Sequence, residues 1–304
     1  MNSHEILLFY KYISIENPEQ LASEQRALCE RLNLKGRMII AHEGVNGTFE
    51  GLQKDTEKYV EAMQQDPRFS DIHFKRSSGT GNAFPKLSIK VRDEIVSAHL
   101  NGEDFSPQEI TGKYITAEQL HDLIHSDQEF YIIDMRNDYE HKVGHFANSI
   151  LPPLKNFRDL PGALPTLEHL RNKKIVTVCT GGVRCEKASG FLVKHGFQDV
   201  SQLYGGIVTY MEKYPNEDFK GLLYVFDGRI TMGFNVDAPE HEVIGKCEKC
   251  GTSSEQYIDC AYIHCQGHRH ILCCTNCQEV DGKAYCSERC KIADIVRSDT
   301  KVLH

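Results

Sequence analysis

Nine of the twelve cysteines in this 304-residue chain fall between Cys247 and Cys290; the others are Cys29, Cys179 and Cys185. The segment that holds the nine is poor in large apolar side chains, so hydrophobic burial alone would not fold it, and a metal framework is the expected substitute. In a reducing compartment such clustering favours metal ligation over disulfides. The spacing is Cys247-x2-Cys250-x9-Cys260-x4-Cys265, then Cys273-Cys274-x2-Cys277-x8-Cys286-x3-Cys290. It predicts two tetrahedral zinc sites of four thiolates each. Cys247, Cys250, Cys274 and Cys277 are expected at one, and Cys260, Cys265, Cys286 and Cys290 at the other, with Cys273 left out. His264, His268 and His270 are available as substitutes. A site closed by four thiolates has no open position, so both are expected to be structural. A reduced, metal-free cluster and an iron–sulfur or redox role stay open at this stage.

The length suggests two or three domains, each with its own core. No apolar run approaches the roughly 18 residues needed to span a bilayer. The start, Met1-Asn2-Ser3-His4-Glu5, lacks the basic and apolar stretches of a secretory signal, so a cytoplasmic location is expected. A net charge of −8 argues against indiscriminate nucleic-acid binding but permits a local basic patch. Residues 72–92 offer one: Lys75, Arg76, Lys86, Lys90 and Arg92, with no acidic residue among them. Aromatics and hydroxyls interleave with these cations, a composition suited to holding phosphates and stacking a base. The bland alternative is the solvated face of a half-buried strand, since Lys86, Ser88, Lys90 and Arg92 alternate with Leu87, Ile89 and Val91.

Along the chain, residues 1–95 read as β-α-β-(β)-α-β, a small α+β sandwich of the split βαβ, ferredoxin-like kind. The turn His42-Glu43-Gly44-Val45-Asn46-Gly47-Thr48 either points at an active loop or simply joins a hairpin. Residues 96–113 are polar and irregular and are expected to be a linker. From 114 to 218, short apolar strands at 130–134, 174–178 and 200–203 alternate with helical stretches, which predicts a parallel sheet covered by helices. Residues 219–304 form the cysteine-rich zinc-binding region.

The chemistry concentrates in Cys179-Thr180-Gly181-Gly182-Val183-Arg184, between a strand and a helix. At such a junction backbone N–H groups converge near the positive end of the helix dipole. The paired glycines permit the turn, and the cradle favours a thiolate or, equally, a persulfide anion on Cys179. Arg184 adds a fixed positive charge. Cys185 either resolves an oxidised Cys179 or is the first buried residue of the helix.

Cys-x-x-x-x-Arg after a strand resembles the active-site loop of the rhodanese family. Ile133-Asp134-Met135-Arg136, Gly144-His145-Phe146-Ala147-Asn148-Ser149-Ile150 and Leu203-Tyr204-Gly205-Gly206-Ile207 resemble other segments of that family. In it the loop cysteine carries a persulfide; Asp134 and Arg136 read as a pair that ties loops together. Three stretches extend the resemblance over nearly the whole chain: Ala41-His42-Glu43-Gly44-Val45-Asn46-Gly47-Thr48, Phe84-Pro85-Lys86-Leu87 and Cys179 through Ser189. They resemble the bacterial tRNA uridine hydroxylase family. That resemblance implies oxygen-dependent 5-hydroxylation of the wobble uridine 34, Cys179 as the active cysteine, molecular oxygen as co-substrate, tRNA as partner and an acylphosphatase-like N-terminal domain. The residues themselves give no facial triad for non-haem iron and no flavin or nicotinamide fingerprint. Two alternatives stand beside this reading. A sulfurtransferase would pass persulfide sulfur from Cys179 to an acceptor, and a non-catalytic zinc-stabilised RNA-binding protein would work without Cys179.

Overall fold

The computed structural model describes residues 3–100, 102–103, 105–265 and 270–301. The chain divides into two units, one of residues 1–138, 148–214 and 226–229, the other of 139–147, 215–225 and 230–304.

The first unit begins with β1 (His4–Tyr12), α1 (Pro18–Arg31), β2 (Lys35–Ala41), β3 (Gly44–Leu52), α2 (Gln53–Gln65), β4 (Lys75–Gly79) and β5 (Leu87–Val91). Asn17 caps α1 and Pro18 opens it. The strand order β4-β1-β3-β2-β5 is the expected split βαβ sheet, with β5 added parallel to β2. One sheet face carries Leu7, Phe9, Met38, Ile40 and Phe49, which pack with Tyr59 and Met63 of α2 and Leu21 of α1. Strand alternation turns the intervening residues to the opposite face. Register makes Lys75, Leu8, Thr48, Arg37 and Ser88 one row across that face, and Tyr10, Asn46, Ile39 and Lys90 the next.

The second half of this unit holds β6 (Lys113–Ile115), α3 (Ala117–Ile124) and β7 (Tyr131–Asp134). The chain then passes through α4 (Asp138–His141) and β8 (Gly144–Phe146), and returns with α5 (Leu160–Leu167), β9 (Lys174–Val178), α6 (Val183–Lys194), β10 (Asp199–Leu203) and α7 (Gly206–Lys213). The parallel sheet β6-β10-β9-β7 has the predicted character, with α6 packed on β9 and β10. The strand β6 was not foreseen, because three residues with one buried neighbour leave no alternation to read. The segment before it is irregular but not a free tether. Ala98 and Leu100 are buried with Ile133 and Ile175, and the Gly112 N–H donates to Ser189 Oγ at 2.8 Å. Arg136 and Asp134 are fully buried and paired at 2.6 Å, two residues apart in one segment.

In the second unit β8 pairs antiparallel with β11 (Phe219–Gly221). The pairs β12 (Leu223–Tyr224) with β13 (Thr231–Met232), and β14 (Tyr257–Asp259) with β15 (His270–Leu272), follow, and α8 (Glu288–Lys301) ends the described chain. Its small core is Val143, Tyr224, Tyr257 and Leu272. Among the described residues no helix is long and apolar enough to cross a membrane.

Candidate active site

Cys179 sits one residue past β9, and the loop that follows enters α6 at Val183. Gly182, with φ +103°, makes the turn. Its N–H donates to Cys179 Sγ at 3.2 Å. The thiol is fully buried. Burial alone would raise it, but the Cys185 side chain, the Arg184 charge and the backbone N–H groups of Cys185 and Gly182 outweigh that and bring it down to about 6. Cys185, equally buried, is pushed well above the ordinary thiol range by desolvation and by Cys179 beside it. The anionic sulfur is therefore Cys179, the one at the amide cradle. Arg184 Nη2 donates to Thr180 Oγ1 at 3.1 Å, and the guanidinium lies 5.7 Å from the ring centre of Phe226. From the other side, the N–H groups of Ile207 and Val208 donate to the carbonyls of Cys179 and Thr180 at 2.9 and 3.1 Å. A Cβ on Gly206 would come within 2.7 Å of the Cys179 carbonyl oxygen, so the late glycine pair lets α7 begin directly against the loop.

The roof over this loop is the open face of the N-terminal sheet. A Cβ on Gly181 would meet Leu8 Cδ2 at 2.8 Å, and one on Gly182 would meet Tyr10 Oη at 2.7 Å. Tyr10 Oη donates to Glu186 Oε1 at 2.9 Å. Glu186, buried in the first turn of α6, also accepts from Tyr114 at 2.8 Å and from Gln202 at 3.1 Å. Desolvation and Glu186 push Tyr10 well above the usual phenol range, so it stays a donor. The polar turn at 42–43 is a two-residue hairpin, and it does reach the helix behind the loop: Lys187 bridges Glu43 and Glu94 at 2.8 Å each. Replacing Gly182 by alanine is expected to lower activity at least about a hundredfold, because the left-handed backbone and the Tyr10 contact both resist a Cβ. A turnover assay beside a melting curve checks it; unchanged turnover would contradict the packing described.

The five cations expected to form one basic patch do not come together. β4 and β5 are opposite edges of the sheet. Arg76 faces the helices, where it pairs with Glu5 at 2.9 Å and Glu57 at 2.8 Å, so its charge is already compensated. Lys75 is buried on the opposite face, its ammonium 4.6 Å from the Tyr10 ring centre. Lys86, Lys90 and Arg92 are exposed, as the alternating strand predicts. Sequence reading missed Arg37, whose guanidinium shares the Phe226 ring with Arg184 at 5.4 Å. It also missed exposed Tyr204, stacked on His73 at 5.1 Å and 9°. Position next to the Gly205-Gly206 turn was the only available signal for Tyr204.

The eight cysteines foreseen as zinc ligands gather in the two fours expected, each with its sulfurs within 4.8 Å of one another. In the second four, Cys265–Cys286, Cys286–Cys290 and Cys290–Cys265 sulfurs lie 3.5, 3.5 and 3.8 Å apart. Four thiolates about 2.3 Å from one zinc ion would stand about 3.8 Å apart, so the residues fit the metal. Burial raises the Cys247 thiol, but the N–H groups of Cys274, Cys250 and Lys249 overcome this and bring it to about 6. Cys273 stays out, buried beside Cys247 and Ile271. His264 and His270 join neither four, and His268 lies outside the described residues.

Three family models match the chain: the UPF0176 acylphosphatase like domain over residues 4–95, the rhodanese-like domain over 116–213 and the rhodanase C-terminal over 220–291. A protein of Bacillus cytotoxicus named tRNA uridine(34) hydroxylase is 43% identical, over 95% of this chain and 88% of its own. A protein of the same name from Bacillus thuringiensis is 44% identical over 95% of this chain and 90% of its own. The chain belongs to the tRNA uridine(34) hydroxylase family. A solved rhodanese-related protein from Thermoplasma volcanium is 30% identical, covering 33% of this chain and 92% of its own at a TM-score of 0.29. In this member of the hydroxylase family, then, an acylphosphatase-like domain precedes the rhodanese domain and a cysteine-rich region able to hold zinc follows it.

Proposed function

We propose that this chain hydroxylates C5 of uridine 34 in cytoplasmic tRNA, with Cys179 as the reacting thiol, molecular oxygen as co-substrate and zinc as a structural ion in the two cysteine clusters. The observation that carries the reading is the low-pKa Cys179 in its amide cradle, within a chain alike over 95% of its length to proteins bearing that name. Addition of the thiolate to C6 of uracil moves the C5=C6 electron pair toward C5 and O4, which makes C5 the nucleophile an oxidant meets. One atom of O2 then enters at C5 and the other leaves as water, taking up two electrons and two protons from an external two-electron reductant; loss of the C5 proton breaks the C6–S bond and returns the thiolate. Arg184 and the amides of Gly182 and Cys185 hold the negative charge at sulfur before the step. Because Cys179 is buried under Leu8 and Tyr10, the nucleotide has to be flipped out of its loop and these side chains parted. Lys86, Lys90 and Arg92 are the cations free to hold the RNA backbone.

One observation favours a second reading: the same cradle would hold a persulfide, as a sulfurtransferase needs. Labelling separates the two. Cells expressing this chain as their sole uridine 34 hydroxylase, grown under isotopic ¹⁸O₂, are expected to carry the heavy oxygen in 5-hydroxyuridine and its derivatives. Label drawn from water, or rapid thiocyanate formation from thiosulfate and cyanide without any hydroxylation, would overturn the proposal.

A further inference from the structure

Lys75 belongs to the sheet face that roofs the catalytic loop. It pairs in register with Leu8, whose side chain lies against Gly181, and its ammonium sits over the ring of Tyr10, whose hydroxyl lies against Gly182. The residue is only 6% exposed. Neither a hydrogen bond nor an ion pair holds it among the described residues. An ammonium taken out of water without a partner is costly, and such a group either loses its proton or stands near an anion. Two anions act on Lys75, and both belong to the active loop and its helix: Cys179 and Glu186. Glu186 already accepts from the neutral donors Tyr10, Tyr114 and Gln202, and of the two anions Cys179 acts the more strongly on Lys75.

We propose that Lys75 is a charge-stabilising residue of the Cys179 site, delivered across the domain boundary by the N-terminal sheet, and is not part of a phosphate-binding surface. The proposal rests on the reading of Cys179 as the reacting thiol. Desolvation lowers Lys75 to about 8, opposed by Cys179 and Glu186, so it remains mostly protonated at neutral pH. Electrostatic interaction is mutual: a thiolate that holds the proton on Lys75 is itself stabilised by the ammonium. The other groups facing this pair are Arg184 on the loop, Tyr10 on β1 and His73 two residues before Lys75. Burial and Lys75 together push His73 down to about 4, so it is neutral and adds no charge. When the thiolate adds to C6, an S–C bond forms and the C5=C6 electron pair becomes an enolate; no electron is gained or lost, and the single negative charge moves from sulfur into the ring. A cation fixed beside the sulfur serves both ends of that movement. The sheet thereby completes the rhodanese loop.

The test is the titration of Cys179 itself, read at that residue by peptide mass spectrometry after a small alkylating reagent, in the full-length protein. The wild-type rate is expected to rise through a midpoint of about 6. Lys75→Met should raise the midpoint by about one pH unit, so that about tenfold less thiolate reacts at a fixed pH below both midpoints; Lys75→Gln repeats the loss with a polar side chain if Met disturbs packing, and Lys75→Arg keeps the midpoint low. Affinity for tRNA and its salt slope should be unchanged in Lys75→Met, whereas Lys90→Ala should lower the slope by about 1 and leave the midpoint alone. An unmoved midpoint in both neutral variants, or a salt slope reduced by Lys75→Met as by Lys90→Ala, overturns the proposal. If no variant nor the wild type binds tRNA, the tRNA reading fails while the titration still decides the role of Lys75.

Discussion

Replacing Cys179 with alanine will abolish 5-hydroxyuridine formation, a loss of about a thousandfold or more, while leaving tRNA affinity within about twofold of wild type. The magnitude follows from what the residue does. In the proposed mechanism only the thiolate adds to the pyrimidine, and Cys185, in the first turn of α6, cannot substitute, since desolvation and Cys179 beside it keep it a buried thiol. The unchanged affinity follows because Cys179 is fully buried, and the exposed cations Lys86, Lys90 and Arg92 are the groups proposed to hold the RNA backbone. Turnover measured by nucleoside mass spectrometry, beside a binding titration at fixed salt, checks both halves. Retained turnover would contradict every route through the loop sulfur.

The second large effect concerns the metal. The protein as purified is expected to hold two zinc ions per chain, and Cys274→Ser or Cys286→Ser should each remove one. Structural zinc of this kind carries about 10 kcal/mol or more of apparent binding free energy, which exceeds what the small cluster of Cys247, Ile271, Cys273 and Ala284 can supply by burial. Removal should therefore unfold the segment around the emptied cluster and open it to protease. Metal analysis beside limited proteolysis reads both. Absence of zinc from freshly purified protein, or a single-cluster variant that keeps its full metal content, would contradict the assignment.

How much of this was legible beforehand depended on how local the signal was. The two cysteine fours were readable because Cys-x2-Cys spacing is a constraint within one turn of chain, and the two loose pairs then had only each other. The Cys179 loop was readable for the same reason: strand, glycines, arginine and helix are contiguous. The placement of the five cations was not. Lys75 and Arg76 are neighbours in sequence, yet strand alternation sends one to the Tyr10 ring and the other to Glu5 and Glu57. Nothing in residues 72–92 alone reports that β4 and β5 end up at opposite edges of the sheet. The roof itself, Leu8 and Tyr10 over Gly181 and Gly182, joins residues more than 170 positions apart. Such pairings follow from how two domains dock, which no local pattern records.

The central claim is that this chain puts the hydroxyl on uridine 34. The most direct measurement is mass spectrometry of tRNA nucleosides from cells that lack the protein and have no second hydroxylation route, with and without the wild-type chain restored. The account predicts that 5-hydroxyuridine and everything derived from it disappear and return only with the restored chain. Unaltered levels in the deletion would contradict it and move the reading to sulfur transfer at Cys179.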